Sequence, residues 1–481
     1  MAGTLSKLFE DGVSRLARIG GKAADRAAVD ATVTRQAADV LGKDTFSRSA
    51  ELVDSALESA DETAIETAGK SADATLGDDV AGIAKQIRAA KIKTTADGTL
   101  VKQLPKVDPK PVTYLSYQAD DNSLSPFIDK HVDVLEHTGS TKTANALVFG
   151  DGNVAGDTRA YYVTADKKLG KVTSPYVPMG PKGEIDSGSP AGLQQAVNWG
   201  FTNYPSQVHW LDINDHGAGW GGICLDNTAD THIALPDLPK AVLAGNGGKP
   251  VDLLTYDACL MSDIEATYEM RNAAKVIVGS EDETLALGMN YDQVLAGLDK
   301  QPTTDPAEIA KRVVNTAQMS GADPIADNTV TNGMAIYHLS ALDTSKAATT
   351  ASAIDHLSQS LLKVLPDQRQ AVLDSMHAVQ PFYVASHGGV DWGHRDLVSF
   401  VQQLQQRVKD PNVKQAGDNV IKAVKDMVIQ TKAAPQEQGV AQGLSIYMPM
   451  DGEVDPAYLN TAFAKDTHWA QFLQALKQPT T

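Results

Sequence analysis

From about residue 111 onward, short apolar stretches alternate with helix-like segments, and this alternation restricts the choice of fold more than any other feature of the sequence. The apolar stretches are rich in β-branched and aromatic residues, as buried strands are. Strands that alternate with helices indicate a mostly parallel sheet covered on both faces. The predicted strands are Val112–Tyr117, Ala144–Phe149, Ala160–Thr164, Gln207–Ile213 and Val251–Tyr256, and the predicted helices are Ser125–Glu136, Pro190–Phe201 and Pro236–Leu243.

The composition divides the chain into four parts. The Ala-rich beginning lacks Trp, Tyr and Cys and favours helix, so we expect an α-helical N-terminal extension that is either a pro-region or a docking arm. Prolines then predict an extended linker, because proline interrupts helices. The predicted parts are the extension (1–92), the linker (93–111), the α/β core (112–300) and a mainly helical second half (301–481), which holds two further strand candidates, Gly333–Leu339 and Gly443–Met448.

Charge and cysteine content exclude several classes of protein. The 481 residues carry 42 Lys and Arg against 60 Asp and Glu, a net charge of -18, which argues against a nucleic-acid binder. The 2 cysteines cannot build a disulfide framework or a Cys-rich zinc site. No apolar run is long enough to span a membrane, and the N-terminus carries no secretory signal. We therefore expect a cytoplasmic protein or one exported without a signal peptide; the oligomeric state is left open.

Two predicted strand ends carry reactive side chains. Strand 207–213 runs into His216, and strand 251–256 runs into Cys259. Functional groups gather at the carboxyl ends of parallel strands, so neighbouring strands would bring these two side chains to one site. A cysteine nucleophile requires such a general base. A helix predicted over 262–271 would place amide groups near the sulfur and favour the thiolate.

The segments around these side chains, LDINDHGAGW and TYDACLM, resemble the paired signature of the clostripain family of cysteine endopeptidases. Further segments resemble later landmarks of that family in the expected order, among them NGMAIYHLSALDTSK and GLSIYMPMDGEVDPAYLNTAFAKDTHWAQFL. The resemblance covers about residues 111–477. It implies a caspase-like three-layer αβα sandwich with helical C-terminal additions.

The resemblance also assigns roles to individual residues. It implies that Cys259 is the nucleophile and His216 the general base, and that the backbone N–H groups of Gly217 and Cys259 hold the oxyanion. Asp257 matches the carboxylate at the floor of a pocket for Arg or Lys, so protein and peptide substrates with these residues are implied. Ser280, Glu281 and Thr284 are candidates for the pocket wall. The chemistry requires no cofactor, and no metal ligand is assigned.

Some members of the family require calcium, for which the acidic turns at Asp120–Asn122 and Asp151–Asn153 could supply oxygen ligands. Self-processing is also implied for the segment between the catalytic strands, where related enzymes cut themselves. The linker offers further candidate sites, because its Pro- and Gly-containing stretch holds basic residues that we expect to be exposed. The competing hypothesis is a catalytically silent binding module of the same fold that acts through its acidic surface. The candidate processing residues are Lys106, Lys110, Lys240 and Lys249.

Overall fold

The computed structural model describes residues 97–477 except 169, 285–287, 320–334, 383–390 and 451–453. The predicted N-terminal extension lies outside the described residues, and the domain boundaries drawn from composition remain predictions. The described strands are β1 (Asp97–Leu100), β2 (Lys110–Ala119), β3 (Ala144–Asp151), β4 (Arg159–Tyr162), β5 (Val172–Pro178), β6 (Ser206–Asn214), β7 (Ile223–Asp226), β8 (Thr231–Ile233), β9 (Val251–Asp257), β10 (Ala274–Gly279), β11 (Gln318–Met319), β12 (Ala335–Ile336), β13 (His338–Asp343), β14 (His394–Asp396), β15 (Val428–Ala433) and β16 (Ser445–Tyr447).

The described helices pack against these strands and against one another. They are α1 (Ile128–Glu136), α2 (Pro190–Asn203), α3 (Leu238–Gly245), α4 (Ile264–Glu269), α5 (Tyr291–Lys300), α6 (Pro306–Thr316), α7 (Ala347–His377), α8 (Leu397–Arg407), α9 (Pro411–Met427), α10 (Ala462–Asp466) and α11 (Trp469–Lys477). Every helix among the described residues is too short or too polar to span a lipid bilayer.

Ten of the described strands form one sheet in the order β1-β5-β4-β3-β2-β6-β9-β10-β13-β15. Its centre, from β3 to β10, is entirely parallel, and antiparallel strands flank this centre on both sides. The predicted core strands therefore all exist, and they lie side by side. The second half contributes β13 and β15 to the same sheet, so it extends the sheet as well as adding helices.

Alternate side chains of the central strands enter two separate cores, as the period of a strand requires. Leu115 and Leu211 pack on one face with the helices α2 and α3, whereas Tyr114 and Trp210 pack on the other face with α1, α5 and α6. A third core surrounds α7 in the second half. Helices thus cover both faces of the central strands, and the carboxyl ends of these strands share one edge.

The predicted linker is partly sheet. Asp97–Leu100 forms β1, which pairs in parallel with β5, and Lys110 already belongs to β2. The prolines predicted an extended chain but could not identify its partner, because β5 lies more than 70 residues away. In the second half, the predicted strand at 333–339 corresponds to β12 and the beginning of β13, with 333 and 334 outside the described residues.

Candidate active site

The register between β6 and β9 brings the two reactive side chains to one edge of the sheet. Asn214, the last residue of β6, pairs with Asp257, the last residue of β9. His216 and Cys259 each follow this pair by two residues. Because the strands are parallel neighbours, both side chains emerge at the same end, as the sequence predicted.

The turn after β2 holds the histidine. The Ser123 hydroxyl oxygen lies 2.9 Å from Nε2 of the half-buried His216. The buried carboxylate of Asp215 accepts hydrogen bonds from the His216 backbone N–H at 2.5 Å and from the Asn122 side-chain amide at 2.7 Å. Sequence analysis did not single out Ser123 or Asp215. The signal available was that Ser123 follows the end of β2, the neighbour of β6 in the sheet.

The backbone of Gly217 packs against the peptide group of the cysteine. A Cβ atom built on Gly217 would lie 2.5 Å from the Cys259 carbonyl oxygen and 3.1 Å from its nitrogen. A side chain at position 217 would therefore force the two segments apart. The backbone of Gly217 therefore lies directly against that of Cys259, and the predicted oxyanion role of these two residues stays a prediction.

The thiol of Cys259 faces the loop after β10. Only 7% of the residue is exposed, and its sulfur accepts a hydrogen bond from the Thr284 backbone N–H at 3.4 Å. Burial, with a further contribution from the charge of Glu283, raises the pKa of Cys259 to about 12. The expectation that a helix start favours the thiolate does not apply in this conformation. The helix α4 begins only at Ile264, and the Asp263 side chain caps its Ala266 N–H.

Asp257 is buried beneath Gly288 and Met289. Its carboxylate accepts hydrogen bonds from the Tyr291 hydroxyl at 2.9 Å and from the Met289 backbone N–H at 3.3 Å. The Tyr291 hydroxyl lies 2.8 Å from a second buried carboxylate, that of Asp212. Burial, and then the charge of Asp212, raise the pKa of Asp257 well above its ordinary value. Gly288, at φ +67, packs directly on the Asp257 carboxylate.

The three predicted wall residues have different environments. Ser280 and Glu281 are fully buried. Glu281 accepts a hydrogen bond from the Gly443 N–H at 2.5 Å and lies 3.4 Å from the His338 ring, so it bridges the core and the second half. Thr284 is half-buried and contacts the Cys259 sulfur. In this conformation Thr284 alone of the three touches the proposed nucleophile.

The four processing candidates also differ. Lys106, Lys240 and Lys249 are exposed, but Lys240 lies within α3. Lys110 belongs to β2, where its ammonium donates to the Tyr162 hydroxyl at 3.1 Å. Lys110 and Lys249 each precede a proline in the sequence. The structure therefore leaves Lys106, between β1 and β2, as the candidate that is exposed, outside helix and strand, and not followed by proline.

Comparison with known proteins identifies the family. The model of the clostripain family matches residues 116–476. The chain belongs to the clostripain family. It is 22% identical over 362 residues to clostripain from Hathewaya histolytica. This match covers 65% of this chain and 67% of that protein. The chain is therefore a cysteine peptidase rather than a binding module that only shares the fold.

Solved structures confirm the predicted caspase-like α/β fold. A secreted C11 cysteine protease from Bacteroides thetaiotaomicron, in complex with an irreversible peptide inhibitor, gives a TM-score of 0.53 at 19% identity, covering 76% of this chain and 99% of that one. An inactive zymogen C11 protease from Parabacteroides distasonis gives a TM-score of 0.52 at 19% identity. The match covers 75% of this chain and 99% of that one.

Proposed function

We propose that this protein is an endopeptidase that cleaves after Arg or Lys, with Cys259 as nucleophile and His216 as general base. The observation that supports it most is the register pair Asn214–Asp257, since it sets His216 and Cys259 at equivalent positions beyond neighbouring strands. The family match adds support because it spans both strand ends.

The reaction follows from the groups at this edge. The Cys259 sulfur, deprotonated by His216, attacks the carbonyl carbon and forms a tetrahedral oxyanion. The backbone N–H groups of Gly217 and Cys259 donate to this oxyanion, and such a donor lowers the barrier by about 3–4 kcal/mol. His216 then protonates the leaving amine as the C–N bond breaks, leaving a thioester. Water activated by His216 hydrolyses the thioester and regenerates the thiol.

Substrate choice would rest on the carboxylate of Asp257. A buried cationic side chain needs a charge partner, and Asp257 precedes the nucleophile by two residues. Asp212, which shares the hydroxyl of Tyr291 with Asp257, is a second carboxylate beside this position. Binding of Arg or Lys here requires that Gly288 and Met289 move away from the carboxylate.

The conformation described here is therefore the resting one in our proposal. Thr284 contacts the nucleophile, and Gly288, Met289 and Tyr291 lie against the proposed specificity carboxylate. Self-cleavage after Lys106 would separate the N-terminal extension and β1 from the catalytic strands and so provides a route to activation. A zymogen among the structural relatives is compatible with such a route.

Hydrolysis of three matched peptides, with Arg, Lys or Asp on the acyl side of one bond, tests the function. We expect the wild type to cut the Arg and Lys peptides, with products identified by mass spectrometry. Cys259→Ala and His216→Ala should be inactive. Cys224→Ser is the matched control, because Cys224 is a fully buried cysteine outside the proposed machinery. Cleavage of the Asp peptide alone would refute the specificity, and an active Cys259→Ala variant would refute the mechanism.

A further inference from the structure

We propose that Asp263 and His394 form a buried hydrogen-bonded pair that positions the loop after β6, and with it the backbone of the candidate active site. Both residues act through this loop rather than on the substrate, so they are positioning residues. Asp263 directly precedes α4, close to the nucleophile segment, whereas His394 begins β14 in the second half. The inference rests on the proposed function and deepens it, because it gives the second half a part in the reaction.

The two side chains meet at Gly219, which lies three residues after His216. A Cβ atom built on Gly219 would lie 2.4 Å from Cε1 of His394 and 2.5 Å from Oδ2 of Asp263. Both side chains therefore reach within 2.5 Å of one point. Gly219 has φ +54, and the side chain that it lacks leaves the space in which the carboxyl group and the imidazole approach each other.

Each of the two side chains also holds a buried polar atom without a partner. Nδ1 of His394 and Oδ2 of Asp263 make no hydrogen bond among the residues that the structure describes. His394 is 1% exposed and Asp263 is fully buried, so bulk water does not reach these atoms. A buried polar atom that loses its contact with water without replacement is destabilising. A hydrogen bond between the two side chains would supply both missing partners at once.

One proton is enough to join the pair. Burial, and then the charge of Glu265, raise the pKa of Asp263 well above its ordinary value, whereas the N–H groups of Ala266 and Trp220 lower it. Burial lowers the pKa of His394 to about 4. A protonated carboxyl that donates to Nδ1 and a carboxylate that accepts from the imidazolium contain the same single proton. The pair therefore carries no net charge in either form, which suits a buried position.

The second half holds both partners and the loop between them. Ser445 of β16 forms a parallel β-bridge with Asp263. The neighbouring strand of β16 is β14, in which His394 lies opposite Tyr447. The Tyr447 ring also packs on Trp220 of the loop, with ring centroids 4.8 Å apart. One small sheet thus fixes the carboxyl group, the imidazole and the loop relative to one another.

The pair lies next to the backbone on which the reaction depends. The Leu260 carbonyl oxygen lies 3.1 Å from the same Cβ position of Gly219. Leu260 follows Cys259 and has φ +66, a strained conformation that persists only where its surroundings impose it. Displacement of Gly219 would release this strain and shift the backbone N–H groups of Cys259 and Gly217. We expect loss of the pair to slow the chemical step and to leave substrate binding at Asp257 intact.

Steady-state hydrolysis of the Arg peptide by the full-length chain tests the positioning role. His394→Leu and Asp263→Ser should each lower kcat about 100-fold with little change in KM. Serine can still cap α4 but is too short to reach the imidazole. His394→Asn and Asp263→Asn keep a hydrogen-bonding group at the same place and should recover most of kcat. His356→Leu, at an exposed position on α7, is the matched control.

Substitution of Gly219 tests the same contact without changing either partner. Gly219→Ala should lower kcat in the same way, because its Cβ atom would collide with both side chains. Gly247→Ala is the matched control, since Gly247 has a similar φ of +64 and no described atom lies within 4 Å of its Cβ position. This comparison decides the test if a variant of the pair fails to fold.

A double-mutant cycle measured by urea unfolding tests the hydrogen bond independently of hydrolysis. Because the partners share one bond, His394→Leu and Asp263→Ser together should shift the urea midpoint by less than the two single shifts combined. Additive shifts would overturn the pair. Wild-type kcat in folded His394→Leu or Gly219→Ala would overturn its positioning role. If the wild type hydrolyses none of the peptides, the proposed function fails, and the cycle still decides whether the pair exists.

Discussion

The sulfur of Cys259 lies 3.4 Å from the backbone nitrogen of Thr284 and 3.7 Å from its carbonyl oxygen. A few residues further on, the Met289 N–H contacts the Asp257 carboxylate at 3.3 Å. Thr284 therefore lies against the attacking atom, and Met289 lies against the proposed specificity carboxylate. In our account both residues must move before a substrate can bind.

Reaction of Cys259 with iodoacetamide should reveal the closed conformation. Only the thiolate reacts, and burial raises the pKa of Cys259 to about 12, so the neutral thiol predominates up to high pH. We expect the alkylation rate of a full-length His216→Ala, Cys224→Ser chain to rise about tenfold per pH unit between pH 7 and 10, without a plateau. Adduct formation is followed by intact mass. A plateau near pH 8.5, as for an exposed cysteine, would contradict the closed arrangement.

Asp257→Asn should reduce kcat/KM for an Arg peptide by at least about 100-fold, because the substrate cation would be buried without a counter-charge, a loss of about 3–5 kcal/mol. The fold should survive, since burial already raises the pKa of Asp257 and asparagine retains an acceptor for the Tyr291 hydroxyl. Thermal unfolding provides that check. Asp108→Asn, at an exposed position, is the matched control. Wild-type turnover of the Arg peptide by folded Asp257→Asn would place the specificity elsewhere.

Tyr291→Phe should lower the free energy of unfolding by about 1–3 kcal/mol, because it removes a hydroxyl shared by the buried carboxylates of Asp212 and Asp257. Urea unfolding measures the change. Tyr176→Phe is the matched control: its residue is half-buried, and its hydroxyl makes no hydrogen bond within the described part of the chain. A Tyr291→Phe variant as stable as the control would show that this hydroxyl is not important for folding.

Lys106→Ala should suppress self-cleavage between the extension and the core. Lys106 is exposed and lies between β1 and β2, where a protease can bind extended chain. We expect incubated wild type, but not Cys259→Ala, to yield a new N-terminus at Val107. Lys249→Ala should be processed like wild type, because Pro250 follows that lysine and lacks a backbone N–H. A fully active chain that stays intact would exclude activation by processing.

Much of the fold was predictable because its signals are local. Each central strand is a short apolar run, and the alternation with helices indicates parallel neighbours, so the positions of His216 and Cys259 followed from the strand ends. The partner of β1 was not predictable, because β-pairing over such a distance leaves no local pattern.

The tertiary contacts around the candidate active site were less predictable. Thr284 contacts Cys259 across 25 residues of sequence, and Glu281 contacts Gly443 across 162. Such contacts depend on tertiary packing, which composition does not record. For the same reason, the sequence did not predict that Glu281, the first residue of an acidic run, is fully buried.

Covalent labelling tests the central claim most directly. The active protein is incubated with a peptidyl acyloxymethyl ketone that carries Lys next to the reactive group. The protein is then digested, and the labelled residue is identified by mass spectrometry. A reagent with Asp in place of Lys is the control. Our account predicts one adduct, on Cys259, formed by the Lys reagent and prevented by His216→Ala. An adduct on Cys224, equal labelling by the Asp reagent, or no adduct in a chain that still hydrolyses Arg peptides would contradict it.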